Sequence, residues 1–340
     1  MDKILVLGAG RIGSYIANKL SDSLDVTVLD KNKKLLSQFP KYIYSDFRID
    51  PKPFNLVVGA LPGNIGYEAA KYFIGHGKDY VDISFCEEDL LKLNDLAVKT
   101  GSRTLIDFGL APGLSHMLFG YYNSRYEVSE YKIYVGGNPV FPVEPWYYDA
   151  SFSPADVLAE YTRPARVIRN GKVVELPALS EQEEFSYNDY KYIAFNTDGV
   201  RTLLRYKIDK IEEKTLRWPQ HINTVNLLNK LNLLELAMKK AQWNEFSKDH
   251  TILAVNITYK DVTGKKCIAQ YSMQNSYDNH YTSMAKTTGQ TCIAGTSLLL
   301  ENKIKHPGVF APEDIGANHL KYILDDLRYN GISLRLECIK

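Results

Sequence analysis

Cysteine is scarce in this chain, and what there is lies scattered. Cys86, Cys267, Cys292 and Cys338 stand in 340 residues, and none forms a CxxC pair. That spacing shows no zinc or redox framework and fits a disulfide scaffold poorly, so no metal site is expected. It suits a reducing compartment, and a cytoplasmic location is the expectation. An excess of one charge is also lacking: 41 Lys and Arg meet 40 Asp and Glu, a formal net charge of +1. No phosphate-tracking surface follows from such a balance, so nucleic acid is not an expected partner. The short cluster Lys31, Lys33 and Lys34 reads as a solvated helix start. No apolar run reaches the roughly 18 residues that cross a bilayer, so no membrane partner is expected. The first apolar run is a strand followed at once by glycines, which argues against a signal peptide.

What is present is enough apolar material for a sizeable core, 45% of the chain. A single core rarely grows much past about 250 residues, so two domains are expected. The first opens at "KILVLGAGRIGSYIANKL". A short apolar run suits a buried parallel strand. Gly8 then permits a tight turn, Gly10 admits a diphosphate to the backbone, and Gly13 lets the next helix pack close. Arg11, Ile12 and Gly13 open that helix, whose free N–H groups and positive dipole end favour an anion. The next strand, "DVTVLD", ends at Asp30. An acid there accepts hydrogen bonds from ribose hydroxyls and repels a 2′-phosphate, which favours NAD. Lys31 and Lys33 lie close enough to pair with that phosphate, so NADP stays open.

Strand and helix alternate from Lys3 to about Gly109, the pattern of a parallel sheet covered on both faces. "FNLVVGALP" places Ala60, Leu61 and Pro62 at the carboxyl edge of the sheet, where ligands bind in doubly wound folds. Ser84 follows the strand "YVDIS". Asp46 either reaches the adenine side or caps a turn. "EEDLLKLNDLAVKTG" reads as a helix ending at Gly101.

Beyond Pro112 the pattern changes. Ser153 and Pro154 read as an N-cap and first helical position of "SPADVLAEY". "ARVIRNGKVVEL" is a hairpin turning at Asn170-Gly171. "TDGVRTLLRYKI" is read as a helix capped by Thr197 or Asp198, and "HINTVNLLNKLNLL" as another. A second hairpin turns at Thr263-Gly264. A long helix over "YTSMAKTTGQTCIAGTSLLLENKI" and a last strand, "GISLRLECI", close the chain. Hairpin-joined strands give a mixed or antiparallel sheet. The expected fold class is thus α/β: a Rossmann-type doubly wound parallel sheet plus an α+β substrate domain. The expected boundaries are 1–112, completed by 284–340, for the first, and 113–283 for the second.

Longer stretches carry a resemblance. "YVDISFCEEDLLKLNDLAVKTGSRTLIDFGLAPGLSHMLFGYY", "SFSPADVLAEYTRPARVIRNGK", "LPALSEQEEF", "FNTDGVRTLL", "EKTLRWPQHI" and "MAKTTGQTCIAGTSLLLENKIKHPGVFAPEDIG" run in order over most of residues 1–316. Together they resemble the saccharopine dehydrogenase-like family, and within it the lysine 6-dehydrogenase branch. Two departures stand out. The family's "RYPGH" is here "RWPQH", with Gln220 beside His221. Ala111 stands where saccharopine reductases carry an acid before Pro-Gly, which fits the lysine dehydrogenase branch better. No motif matches over Leu233 to Lys265.

The resemblance implies a nicotinamide-dependent dehydrogenase acting on CH–NH2 or CH–NH groups, with L-lysine 6-dehydrogenase-like deamination foremost. It implies a homodimer or homotetramer and an amino-acid or amine substrate bound between the domains. A saccharopine or carboxynorspermidine dehydrogenase-type reductive condensation is the sibling alternative. A non-catalytic dinucleotide-sensing protein is the alternative of another class. Such chemistry needs a proton acceptor with a pKa near working pH. It also needs a cation for the substrate carboxylate, where the arginine fork suits. His221, then His116, are the residues named for proton transfer, with capping or packing as the plainer role of each. Asp107 could hold the substrate ammonium or cap a turn. Arg201 and Arg217 could bind the carboxylate or sit in structural ion pairs, and Thr197 could touch the substrate or cap a helix. Cys86 is read as a small neutral filler.

Overall fold

The apolar run at the N-terminus forms strand β1 (Lys3–Leu7), buried along all but its first residue. The structure is a computed structural model and describes residues 2–150, 152–241 and 248–339. Helix α1 (Arg11–Ser21) follows, then β2 (Asp25–Asp30), α2 (Lys33–Leu36), β3 (Tyr42–Tyr44), β4 (Leu56–Gly59), α3 (Gly63–Gly75) and β5 (Asp79–Asp82). The predicted helix after Ser84 divides into a 3-10 turn, Leu90–Leu93, and α4 (Asn94–Thr100). Asp89 accepts the Leu91 N–H at 3.0 Å and fixes that start. Gly101, left-handed at φ 80°, ends α4 as its sequence suggested. Then come β6 (Arg103–Leu105) and α5 (Leu114–Asn123).

The chain passes next into β7 (Glu127–Pro139), α6 (Pro154–Thr162), and the hairpin β8 (Ala165–Arg169) and β9 (Lys172–Leu176). Asn170 and Gly171 turn that hairpin with φ of 51° and 72°, the pairing a type I′ turn requires. A second hairpin, β10 (Glu183–Tyr187) with β11 (Tyr190–Asn196), was not foreseen; its strands alternate too weakly to stand out. Next are β12 (Lys210–Arg217), α7 (Pro219–Lys230), α8 (Leu234–Lys240), β13 (Asp249–Lys260) and β14 (Lys266–Ser276). Helix α9 (Ser283–Leu300), β15 (Gly308–Phe310), α10 (Pro312–Tyr329) and β16 (Arg335–Ile339) complete the order.

The chain forms two compact units: Met1–Tyr121 with Ala285–Gly331, and Tyr122–Met284 with Ile332–Lys340. The first holds seven parallel strands in the order β15-β6-β5-β4-β1-β2-β3. The order reverses between β1 and β4, and the carboxyl ends of those strands make the crevice of a doubly wound sheet. Its core joins Leu5, Leu7, Val57, Phe73 and Tyr80. The second unit holds a nine-stranded mixed sheet along β10-β11-β12-β7-β13-β14-β16, with β8 and β9 attached to β12. Among the described residues, only β7 and β12 run parallel there. Helices α6, α7 and α8 contribute Val157, Tyr161, Ile222, Val225, Leu234 and Met238 to one cluster with Phe195 of β11.

The second unit departs from its sequence pattern in four places. The helix expected over "TDGVRTLLRYKI" is only a 3-10 turn, Arg201–Arg205. Arg201 has φ 49°, which a continuing α-helix cannot accommodate. Ser153 precedes α6 but makes no side-chain cap. The helix expected from His221 onward breaks at Asn232, φ 57°, into α7 and α8. The C-terminal strand β16 pairs antiparallel with β14, so it lies in the second sheet rather than with the first domain. Among the described residues no helix is long and apolar enough to cross a membrane.

Helices α5 and α10 touch through glycine. A Cβ on Gly120 would stand 1.9 Å from the Glu313 carbonyl oxygen, and one on Gly316 2.1 Å from that of Met117. Both neighbours are backbone, which cannot swing aside. Gly316→Ala should therefore destabilise the protein by about 1–3 kcal/mol despite its better helix propensity, measured by urea denaturation.

Candidate active site

The glycine turn after β1 is shaped by contact between main chains. Gly8 has φ 99°, and a Cβ there would lie 2.4 Å from the Ala60 carbonyl oxygen. A Cβ on Gly13 would lie 2.1 Å from the Gly8 carbonyl oxygen. Gly10 differs: it is exposed, it precedes α1, and no atom lies within 4 Å of its Cβ position. Gly8 and Gly13 thus close the turn, and Gly10 leaves bare backbone facing open space at a helix N-terminus. Arg11 and Ile12 stand in the first turn of α1, half-buried.

Asp30 fastens this turn from β2. Its Oδ2 accepts the Ala9 N–H at 2.7 Å and its Oδ1 accepts the Asn32 N–H at 2.7 Å. Each carboxylate oxygen keeps a further lone pair for a ribose hydroxyl. Across the switch point, the Ala60 N–H donates to Leu7 O at 2.9 Å, Leu61 is half-buried, and Pro62 caps α3. Bare main chain, a positive helix end and an acid at the end of β2 fit a nucleotide diphosphate and its ribose. Asp46 accepts the Arg48 N–H at 2.9 Å, the turn-capping role foreseen as its alternative. Ser84 is buried: its N–H and hydroxyl both donate to Asp82 Oδ2, at 2.9 and 2.8 Å. A Cβ on Gly66 would meet its Oγ at 2.1 Å. Ser84 thus packs the loop after β5 against α3, and this explains it better than direct contact with a ligand.

Asp107 lies just beyond β6 at the same carboxyl edge, buried and left-handed at φ 52°. His116 is buried in α5, its Nδ1 3.0 Å from the Ser115 hydroxyl.

The second unit carries the remaining candidates. Arg217, at the end of β12, is fully buried and committed. Its Nη2 donates to Glu160 at 2.5 Å, its Nε to the Tyr161 hydroxyl at 3.2 Å and its Nη1 to Leu216 O at 2.9 Å. Burial works against its charge, and Glu160 reverses that, so its pKa is raised. Binding a substrate carboxylate would strand Glu160, so Arg217 takes the structural role foreseen as its alternative. His221, expected to transfer protons, is enclosed on both ring nitrogens. Its Nε2 lies 2.8 Å from the Tyr161 hydroxyl and its Nδ1 2.7 Å from Trp146 O. Burial pushes its pKa down to about 3. A ring so enclosed ties a loop to two helices and cannot serve as a proton acceptor near neutral pH. Arg201 is buried, and Thr197 Oγ1 lies 3.0 Å from Thr215 Oγ1, not at a helix cap. Asp198 instead pairs with Arg166, at 2.8 and 2.7 Å.

Residues 109–332 match the model of the saccharopine dehydrogenase C-terminal domain. The chain belongs to the saccharopine dehydrogenase family. As a member of it, the chain is 22% identical to saccharopine dehydrogenase (NADP(+), L-glutamate-forming) of Schizosaccharomyces pombe over 450 aligned positions, covering 100% of this chain and 99% of the relative. Apo saccharopine dehydrogenase (L-Glu forming) from Saccharomyces cerevisiae shares its fold, with a TM-score of 0.79, 17% identity and 100% of both chains covered. So does homospermidine synthase from Legionella pneumophila, a structure in complex with NAD, at TM-score 0.70 and 14% identity over 99% of this chain and 91% of that one.

Glu160, Tyr161, Glu213, and His250 with Tyr192 went unnoticed in the sequence. Their partners lie far away along the chain, and nothing local marks them. Both histidines are depressed in the folded state, His250 to about 4. A depressed histidine contributes stability that is complete above its unfolded pKa, about 6.5, and lost as pH falls toward the folded value. Between pH 6.5 and 5 each should remove about 1.4 kcal/mol per pH unit, and His221→Gln should flatten that slope by one histidine's share. Urea midpoints across this range measure it.

Proposed function

We propose that this chain is an NAD(P)-dependent oxidoreductase acting at a carbon–nitrogen bond of an amino acid, with a secondary amine of the saccharopine class as substrate. The supporting observation is the open Gly10 backbone between the closed Gly8 and Gly13 contacts, in a chain that aligns from end to end with a saccharopine dehydrogenase. Gly8, Gly10 and Gly13 would hold the coenzyme's diphosphate, with Asp30 taking the adenosine ribose. Asp30 favours NAD, and Lys31 and Lys33 keep NADP within reach. The bound coenzyme would supply the hydride acceptor. The substrate carbon loses hydride and its nitrogen a proton, and water then hydrolyses the imine to a carbonyl compound and an amine. Asp107 is the acid we assign to the substrate nitrogen, because it stands buried at the carboxyl edge of the parallel sheet. His116, buried in α5, is the histidine kept for proton transfer. Assembly as a homodimer or homotetramer and a cytoplasmic location belong to the same reading.

Lysine oxidative deamination is the second reading. Ala111 before Pro112 and Gly113 favours it. Coenzyme reduction assayed with saccharopine and with L-lysine, using NAD and NADP, separates the two. Saccharopine turnover with glutamate release supports the first; reduction by lysine alone replaces it with the second. Reduction by neither, with coenzyme still bound, overturns both. Gly10→Val should weaken coenzyme binding about tenfold or more, since the side chain would fill the diphosphate's space. Its melting temperature should stay close to that of the parent, because the side chain meets no protein atom.

A further inference from the structure

Helix α9 carries a glycine in its interior at Gly289, where glycine is among the poorest of helix formers. Its place there follows from what it touches. A Cβ on Gly289 would stand 2.5 Å from Tyr15 Cδ1 and 3.3 Å from Ile16 Cγ1. Both neighbours belong to α1, the helix whose N-terminus fits a diphosphate. Bare α9 backbone thus lies flat against the Tyr15 ring.

The next residue of α9 adds a polar relay at the same place. The Tyr15 hydroxyl donates to Gln290 Oε1 at 2.8 Å, and Gln290 Nε2 donates to Asp326 Oδ2 of α10 at 2.7 Å. Tyr15 and Gln290 are both buried. All three residues lie in the first unit. A helix that needed only to be buried would carry leucine at such a position, since a buried hydroxyl is costly unless bonded. The bond adds direction, because it holds the ring, and with it α1, at one rotation about the helix axis. Gly13 grips the same helix from the other end of the turn, against the Gly8 carbonyl oxygen. Tyr15 stands four residues, about one turn, beyond Arg11. A roll of α1 at Tyr15 therefore re-aims the N–H groups of its first turn.

We infer that Gly289 and Gln290 are positioning residues for the coenzyme: through Tyr15 they set the roll of α1, and so the aim of its first-turn N–H groups at the diphosphate. The inference rests on the coenzyme reading above. It gives α9 and α10, which join the first unit from far along the chain, a part in binding that their own surfaces do not show.

Calorimetric titration of the whole protein tests it with three probes. These are the better bound of NAD and NADP, then ADP-ribose, which keeps the diphosphate, and adenosine, which lacks it. Thermal melts report on folding. Tyr15→Phe, Gln290→Leu and Gly289→Ala should each weaken coenzyme and ADP-ribose about fivefold or more, and leave adenosine within about twofold. Tyr15→Phe should add nothing to Gln290→Leu, because the bond between them has already gone. Gly316→Ala, which collides with α5 rather than α1, should lower the melting temperature yet keep coenzyme within about twofold. Should Gly289→Ala fail to fold, Tyr15→Phe, which removes one oxygen, carries the same expectation. Variants that bind coenzyme as the parent does, or that lose adenosine equally, overturn the assignment alone, as does an equal loss of coenzyme in Gly316→Ala. A parent protein that binds neither NAD nor NADP overturns the coenzyme reading and this assignment with it.

Discussion

Close approach of main chain to main chain governs the first unit. Where Gly8 and Gly13 meet each other and Ala60, there is no room for a side chain, and the turn between β1 and α1 has one shape. That shape aligns the start of α1 with the carboxyl ends of β1 and β4, and it lets Asp30 reach the Ala9 amide. The same principle recurs where α5 meets α10 and where α3 meets the loop after β5. Rigidity here comes from missing atoms, which explains how a short stretch of sequence can specify a binding edge.

The second unit works by the opposite means. It buries the charged pair Arg217 with Glu160, and it buries Asp198 against the half-exposed Arg166. Buried pairs cost desolvation and return little net stability, but they punish any rearrangement that separates them. His221 extends one such pair to the carbonyl of Trp146, and so anchors the irregular segment between β7 and α6. A fold that only had to be stable would use leucine at such places. Directional contacts like these serve a surface whose polar groups must stay in fixed positions.

The parallel sheet was legible in the sequence because each of its features is local: apolar runs of strand length, glycines at turn spacing, and an acid ending β2. Gly101 and the Asn170-Gly171 turn were legible for the same reason. Failures came where a distant partner decided the outcome. The segment after Thr197 has a helical apolar pattern, yet the Glu213 carboxylate and the Arg166 fork hold its first residues in another shape. His221 follows a proline at a helix start, which resembles an exposed functional histidine until Tyr161 and Trp146 enclose it. Arg217 looks like any other arginine as a letter, and only the distant Glu160 and Tyr161 reveal its structural role. The hairpin of β10 and β11 and the placement of β16 depend on pairing, which single-strand patterns do not encode.

Strand β16 has a further bearing on how the molecule is made. It seals the β14 edge only after the chain has left the second sheet, run through α9, β15 and α10, and returned. During translation, therefore, β14 must wait with an open hydrogen-bonding edge until residues 335–339 emerge from the ribosome. Nascent protein held in that interval is the species most prone to pair with a neighbour, and shielding by a chaperone would matter most then.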